Sequence, residues 1–506
     1  MLRRILELPL LVILSGVGSL SMLLPAAHAA VFSDFDVARP FFYGAIMFFL
    51  LSVVVGIATS NYRPKSVPRS QLAALVGAYI WLPILFAVPF DQAVKDTTFA
   101  NAWFEMVSSF TTTGVTQYDT AGRLAPSLHL WRALVGWMGG FFVLMSAVAV
   151  LAPLNLGGVE VLSGRVPGRG AQGAGQITHA AGPADRMIRH SATLFPAYFG
   201  LTLLLWVCLL IAGETGLTAF CYALSTLSTS GITNGQPMAT ATGGLISEVL
   251  VFAFMALAIT RRSLPGAVLV DRNRSIFADH EVQLASFFLI LVPGLLFLRH
   301  WLGALAENDI LNAGAAFRAL WGGLFTTMSF LTTTGFESAD WQDARMWSGL
   351  NSPGLVLLGL AMMGGGIATT AGGLKLLRVY ALARHGEREM DRLVHPSSIG
   401  GGGDGERRLR QGGAYVAWIF FMLYAMTFAI VVAALSLRGL EFEQGLVLTV
   451  AAVTTTGPLA VLATEIPIRM IELSVSEKVI LGGAMIVGRV EILAILALLA
   501  PGVWRR

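Results

Sequence analysis

Apolar positions in this chain fall into long unbroken runs, not into the alternating or one-face patterns of soluble strands and helices. The first two runs are Ile5 to Ala26 and Phe41 to Ser60. A unit then recurs four times: an apolar run, a shorter segment with a polar end, and a second apolar run. Unit one comprises Leu72 to Val88, Ala100 to Gly114 and Leu130 to Leu154; unit two comprises Ala192 to Ala212, Leu217 to Gly231 and Leu245 to Thr260. Unit three comprises Val282 to Trp301, Ala315 to Gly335 and Gly354 to Tyr380; unit four comprises Ala414 to Leu435, Phe442 to Gly457 and Val479 to Leu499. Crossing a bilayer takes about twenty apolar residues. The middle segments are too short and too polar at their ends for that, so each is predicted to enter and leave on the same side. Backbone that is not helical is tolerated at that depth only where it is buried in protein or lines a watery path.

The middle segments end alike: Ser108-Ser109-Phe110-Thr111-Thr112-Thr113-Gly114, Thr226-Leu227-Ser228-Thr229-Ser230-Gly231, Phe330-Leu331-Thr332-Thr333-Thr334-Gly335 and Ala452-Val453-Thr454-Thr455-Thr456-Gly457. A spacing of roughly a hundred residues indicates repeated domains and not a short-repeat solenoid. A single such run is more often a helix-packing contact, because small hydroxylated residues are common there in membranes. Four copies, each between two spans, favour a common axis. Backbone carbonyls facing an axis replace the water of a bare cation, threonine and serine add an oxygen without bulk, and glycine admits backbone angles closed to other residues. The helix before each run should aim its partly negative C-terminus at the axis. No carboxylate lies within the runs. The expected fold is an all-α membrane protein: four TM–pore helix–filter–TM units in pseudo-fourfold arrangement around one pore, plus an N-terminal pair of helices. The expected filter for a monovalent cation, potassium foremost, is Thr112, Thr113, Gly114 and Val115; Thr229, Ser230, Gly231 and Ile232; Thr333, Thr334, Gly335 and Phe336; and Thr455, Thr456, Gly457 and Pro458. Glu105 and Glu465 are expected near the outer mouth, either attracting cations or forming a solvated rim.

Composition agrees. The chain of 506 residues is 55% hydrophobic and 13% charged, against about 25% charged in soluble proteins. The net charge of +4 does not indicate nucleic acid, because the basic residues crowd short connections: Arg63 to Arg69, Arg165 to Arg189, Arg261 to Arg274 and Lys375 to Arg410. Basic loops lie in the cytoplasm, which places both termini there and opens the four runs outward. Arg3, Arg4 and the Ala27-His28-Ala29 triplet also fit a signal peptide, but the apolar run is long enough to span, and a retained first helix is expected. Cys208 and Cys221 are read as free packing thiols. The divisions are 1–69 for the extra helical pair, 70–160, 185–275 and 279–390 for units one to three, 391–411 for a flexible linker that includes Gly400 to Gly405, and 412–506 for unit four.

Two features suggest a gate. Residues 364–375, Gly364-Gly365-Gly366-Ile367-Ala368-Thr369-Thr370-Ala371-Gly372-Gly373-Leu374-Lys375, interrupt the longest span. Each glycine weakens a helix by about 1 kcal/mol relative to alanine, so a short unwound stretch is expected, with a close-packed glycine helix as the alternative. A nucleotide-binding loop would need a G-K-[ST] ending, which is missing. Arg489 sits inside the last apolar run, where a charge usually faces water or a partner. Glu491 is two positions on, so the two do not share a helix face and need not pair.

This architecture resembles the Trk/Ktr/HKT superfamily of cation uptake proteins over nearly the whole chain, and the extra N-terminal pair looks like its bacterial TrkH type rather than the shorter KtrB. Trp137-Met138-Gly139-Gly140, Gly364 to Lys375 and Gly488-Arg489-Val490-Glu491 add to the resemblance. It implies potassium, since a serine in place of the first filter glycine accompanies sodium preference in plant members and all four glycines are present here. It implies an intramembrane gating loop that includes Gly364, Gly365, Gly366, Thr369, Thr370, Gly372, Gly373 and Lys375, with Arg489 in the pore below the filter. It also implies a homodimer in the lipid of the bacterial inner membrane, each protomer with its own pore, served by a cytosolic TrkA-like subunit that would carry any ATP or NAD. The chain itself shows no nucleotide fold, no organic cofactor is expected in it, and no nucleic-acid partner is expected. A proton- or sodium-coupled symporter is the alternative, though intramembrane acids are scarce. A hydrolase with a Ser or Thr nucleophile would need a base beside it, and no His or Lys recurs next to the runs, so the chain is not expected to be an enzyme.

Overall fold

The computed structural model describes residues 8–61, 67–118, 120–154, 156, 158, 183–265, 275–307, 313–348, 354–395, 413–464 and 466–499. The linker expected at 391–411, most of the basic connections and Glu465 lie largely or wholly outside them. Within them the chain is helical and forms no strand.

The N-terminal pair is α1 (Leu10–Ser21) with α2 (Leu23–Val31), then α3 (Phe35–Thr59). Unit one is α4 (Val67–Ala93), α5 (Phe99–Phe110) and α6 (Pro126–Ser146). Unit two is α7 (Pro183–Ile211), α8 (Gly216–Ser228) and α9 (Gly244–Met255); unit three is α10 (His280–Glu307), α11 (Ala313–Leu331), α12 (Trp341–Ser348), α13 (Gly354–Met363) and α14 (Leu376–Val394). Unit four is α15 (Ala414–Ser436), α16 (Phe442–Val453), the single turn α17 (Leu459–Leu462), α18 (Val475–Val490) and α19 (Ile492–Leu499). Among the described residues seven helical stretches are long and apolar enough to cross a membrane, and the bent pair α18–α19, taken as one span, makes an eighth. The protein is a multi-pass membrane protein, whose lipid-facing helices expose large apolar side chains such as Phe42, Ile57, Phe199, Ile290 and Ile430.

The expectation of two continuous spans per unit needs correction. α9 runs for only 12 residues before a 3₁₀ turn at Ala256–Ala258. The second run of unit three splits into α13, of 10 residues, and α14, separated by the glycine-rich stretch. The second run of unit four bends by 91° between Val490 and Ile492, where Glu491 has φ +69°. Unit one keeps its length but passes through a π-helical segment at Ala147–Leu151. Hydropathy registers the burial of these stretches, not their backbone continuity, so the breaks outside the glycine run were invisible to it.

The units close on one another in order. α6 packs on α8, α9 on α11, α13 on α16, and α18 on α5. Each second span therefore lies against the short helix of the next unit, and the fourth returns to the first. The N-terminal helices α1 and α3 pack on α4, and α2 also reaches α6.

Candidate functional site: a ring of four hydroxyl-rich runs

Each short helix stops at its run: α5 at Phe110, α8 at Ser228, α11 at Leu331 and α16 at Val453. The stop has the same form four times. A backbone amide reaches back five residues to the helix, from Thr113 to Ser108 O (2.8 Å), Ser230 to Ser225 O (3.0 Å), Thr334 to Ser329 O (2.8 Å) and Thr456 to Ala451 O (2.9 Å). This is the helix-ending bond of a chain that turns left-handed, a turn usually made by glycine. Here it is made by Thr112, Thr229, Thr333 and Thr455, with φ between +51° and +57°. The left-handed region costs a residue with a Cβ roughly 1–2 kcal/mol and survives where the surroundings over-determine it. Flanking hydroxyls pair across it: Thr111 with Thr113 (2.8 Å), Ser228 with Ser230 (2.9 Å), Thr332 with Thr334 (3.0 Å) and Thr454 with Thr456 (3.1 Å).

The expectation assigned the unusual backbone to the glycines alone. Gly114, Gly231 and Gly335 do have positive φ (76°, 64° and 82°), but Gly457 does not. After Gly457 the chain enters a helical turn at Pro458, which a positive φ would misdirect. Unit four is thus the departure from the pattern. The carbonyl of Thr113 accepts a 2.6 Å hydrogen bond from the Gly457 amide, so in this structure that nominated oxygen is engaged across the seam between units four and one.

The four runs meet. A Cβ added to Gly114 would overlap the Ser230 carbonyl oxygen, and one on Gly231 the Thr334 carbonyl oxygen. One on Gly335 would lie 2.7 Å from Pro458 Cγ, and one on Gly457 2.5 Å from Thr113 O. Units one, two, three and four therefore touch through their glycines in a closed circuit. Thr111 to Thr113, Thr229, Ser230, Thr332 to Thr334 and Thr454 to Thr456 are all buried. The Oγ1 atoms of Thr112 and Thr455, on the left-handed residues, are buried without a hydrogen-bond partner among the described residues. Buried hydroxyls normally find partners, so these two are suited to a ligand in the centre. Among the described residues no group of three or more His, Cys, Asp or Glu side chains is placed to hold a metal.

Close approach of the second spans depends on small residues. A Cβ on Gly139 would overlap Phe110 O, and one on Gly488 would overlap Val453 O. Both glycines let a span touch the end of a short helix directly under its run.

The glycine-rich stretch of unit three is an irregular buried loop beneath the runs. Positive φ at Gly364, Ala368, Gly373 and Lys375 excludes the close-packed helix. Gly366 donates to Ala258 O (3.0 Å), Ile367 to Glu281 Oε1 (2.8 Å), and Thr369 Oγ1 to Gly366 O (2.7 Å). The Gly372 amide donates to Thr333 Oγ1, and its Cα faces Thr454 and Thr455 of unit four. Gly365 and Thr370 are buried in the same loop, and Lys375 Nζ bonds Ala371 O. Thr369, Gly372, Gly373, Lys375 and Arg489 line a cavity of about 40 Å³, shared with Glu491. Arg489 is 7% exposed, and its Nε and Nη2 have no hydrogen-bond partner among the described residues.

Three features lay beyond the sequence reading. Glu105 is not at a solvated mouth: it is fully buried and ion-paired to Arg132 at 2.6 Å, because the short helix that carries it packs on α6. Glu491 pairs with Arg378 at 2.8 Å, a residue of α14, with the guanidinium 3.7 Å above the Phe420 ring. Glu281, at the start of α10, holds Ile367 of the loop and pairs with Arg261 at 3.2 Å. A charged residue inside an apolar run was the available signal for Glu105 and Glu491; their partners are far away in sequence. Cys208 and Cys221 are free thiols, the latter buried.

Known proteins show the same organisation. A family model described as a cation transport protein, TrkH, matches residues 81–502. The Trk system potassium uptake protein TrkH of Salmonella typhimurium is 26% identical over 98% of this chain and 97% of its own length, and that of Escherichia coli K12 is 25% identical over 98% and 97%. The potassium uptake protein TrkG of Escherichia coli K12 is 26% identical over 96% of both. The crystal structure of the potassium transporter TrkH from Vibrio parahaemolyticus superposes over 100% of both chains with a TM-score of 0.78 at 23% identity, a likeness of fold. The ring of runs, the span-to-helix packing and these matches together assign the chain to the TrkH family of cation transport proteins.

Proposed function

We propose that this chain takes up potassium across a bacterial inner membrane as a gated, channel-like permeation subunit. The observation that carries the reading is the closed circuit of glycine contacts, Gly114 to unit two, Gly231 to unit three, Gly335 to unit four and Gly457 back to unit one. Relatives over the full length are named potassium uptake proteins. In units one to three, left-handed φ recurs at alternate residues, Thr112 and Gly114, Thr229 and Gly231, Thr333 and Gly335. Such alternation turns successive peptide oxygens to one side, where a regular strand would point them to opposite sides. Peptide oxygens so held replace the hydration shell of a bare cation. In this reading the filter is formed by Thr112 to Val115, Thr229 to Ile232, Thr333 to Phe336 and Thr455 to Pro458.

In this reading the ion path continues into the cavity beneath, where the 364–375 loop closes it and Arg489 sets an electrostatic barrier. The neighbouring α14 is charged along its length, with Arg384, Glu387 and Glu389 exposed, and would transmit the state of a cytosolic TrkA-like subunit that binds ATP or NAD. Both termini would be cytoplasmic, and the protomer would work in a homodimer. The transported potassium is the only ligand the reading requires of this chain.

Coupled symport receives no comparable support. Three of the buried acids are held in ion pairs, Glu105 with Arg132, Glu281 with Arg261 and Glu491 with Arg378, and a fourth, Glu248, accepts hydrogen bonds from Ser338, the Ala339 amide and Trp321. The test is uptake of radioactive rubidium into liposomes carrying the purified protein, with and without a proton or sodium gradient. Uptake driven by the rubidium gradient alone is expected; uptake that requires either coupling gradient would overturn the channel reading.

A further inference from the structure

Beyond the glycine in units one to three the chain runs on for a few residues outside any helix, and its peptide groups there need partners from elsewhere. Position three after the glycine is polar in units one to three: Gln117, Asn234 and Ser338. Asn234 bonds Thr218 of its own short helix at 2.8 Å. The other two are held by charged side chains of a neighbouring unit. Glu248 of α9, 2% exposed, accepts from Ser338 Oγ (2.8 Å), the Ala339 amide (2.7 Å) and Trp321 Nε1 (2.7 Å). A carboxylate of unit two thus fastens the exit segment of unit three to its short helix. Lys478 of α18, 3% exposed, donates to Gln117 Oε1 (3.1 Å) and Asn101 Oδ1 (2.8 Å). Gln117 in turn donates its side-chain amide to Asn101 O (2.7 Å) and its backbone amide to Glu105 Oε2 (3.2 Å), whose other oxygen faces Arg132. An ammonium of unit four thus fastens the exit segment of unit one. The two clamps stand at opposite seams of the ring.

The geometry points to Glu248 and Lys478 as positioning residues for ion selectivity, each holding the filter exit of the next unit at a fixed distance from the axis. This rests on the filter reading above. A peptide-oxygen cage discriminates by size only while its spacing resists contraction. Charge-assisted hydrogen bonds are about twice as strong as neutral ones, and removing one member of a buried set leaves the others unpaired. Neither residue belongs to the four runs, and their hydrogen bonds go to the exit segments and short helices, so the effect acts through the exit segments.

The experiment measures rubidium uptake into liposomes, with sodium as competitor, for the wild type, Glu248→Gln, Glu248→Ala, Lys478→Met and a control, Glu214→Ala. Glu214 is also buried and accepts three hydrogen bonds, from Thr242, Gly243 and Ser247, but these partners belong to the turn and helix start at 242–247 and not to an exit segment. The expected result is a fall in the rubidium-to-sodium ratio of about fivefold for Glu248→Ala and Lys478→Met, the factor that one hydrogen bond contributes. Glu248→Gln should lie between them and the wild type, and Glu214→Ala should lower thermal stability without altering the ratio. If Glu248→Ala fails to fold, Glu248→Gln and Lys478→Met carry the same comparison. An unchanged ratio in folded Lys478→Met and Glu248→Gln, or an equal fall in Glu214→Ala, overturns the inference. A wild type that selects normally confines that failure to the clamps; one that does not discriminate at all removes the filter reading beneath them.

Discussion

The backbone amide of Gly372 donates a 2.7 Å hydrogen bond to Oγ1 of Thr333, which ties the middle of an interrupted membrane span to the left-handed residue of the run above it. The contact places the loop at the base of the ring. A loop bound there by a few polar contacts, with no helix of its own, is suited to leave and return.

Loosening that seat should raise basal flux. Thr333→Val removes the acceptor and keeps the shape, and Gly372→Ala drives a Cβ into Thr454 O. Rubidium uptake without any regulatory subunit should rise about fivefold in each, the factor for one net hydrogen bond. Deleting part of 364–373 should do the same. Wild-type flux at normal expression in all of these would remove the gate role.

Gly114→Ser tests the ring itself. At φ +76° a side chain costs roughly 1 kcal/mol or more, and its Cβ would meet the Ser230 carbonyl oxygen. Selectivity for potassium over sodium should fall by about tenfold. An unchanged permeability ratio would argue that Gly114 lies off the ion path.

Arg489→Ala removes a cation from the cavity under the ring. Two unit charges about 4 Å apart exchange roughly 4 kcal/mol at an effective dielectric of about 20. Even a third of that, at a greater distance, corresponds to about tenfold in rate. Faster rubidium flux is expected, and a slower or equal rate in liposomes would assign the arginine to structure.

The Arg378–Glu491 pair locks α14 to the bend of the last span. Removing one partner of a buried pair costs roughly 3–5 kcal/mol, so Arg378→Ala should lower the melting temperature in detergent markedly. The Phe420 ring below the guanidinium adds to that loss. Arg378→Met with Glu491→Gln should recover much of it. Equal stability of wild type and Arg378→Ala would show that the pair contributes nothing.

Glu337 stands two residues past Gly335, and burial raises its carboxyl above the usual range, opposed by the Gln342 hydrogen bond and by Arg345. A raised value means that acidification neutralises it earlier than a free carboxylate. If its charge draws cations toward unit three, uptake should slow as the external solution is acidified, at a higher pH than a free carboxylate would require, and Glu337→Gln should be slower at neutral pH and insensitive to that acidification. A pH profile shared by wild type and variant would assign the sensitivity elsewhere.

By itself the sequence determined that the chain crosses a membrane, that its short segments cannot, and that Thr112-Thr113-Gly114 and its three relatives occupy equivalent places. Those facts rest on hydropathy and local residue chemistry, which neighbouring residues carry along the chain. It also marked residues 364–375 as a break, because glycines weaken a helix wherever they stand. Tertiary structure alone decided the rest. The left-handed turn fell on Thr112, Thr229, Thr333 and Thr455, since packing against the helix end over-determines a conformation that threonine would not choose alone. Gly457 lost its positive φ to the helical turn that begins at Pro458. Glu105, Glu248, Glu281 and Glu491 acquired partners from other elements. A buried charge is settled by whatever group three dimensions bring within hydrogen-bonding reach, and that reach does not follow the order of the chain.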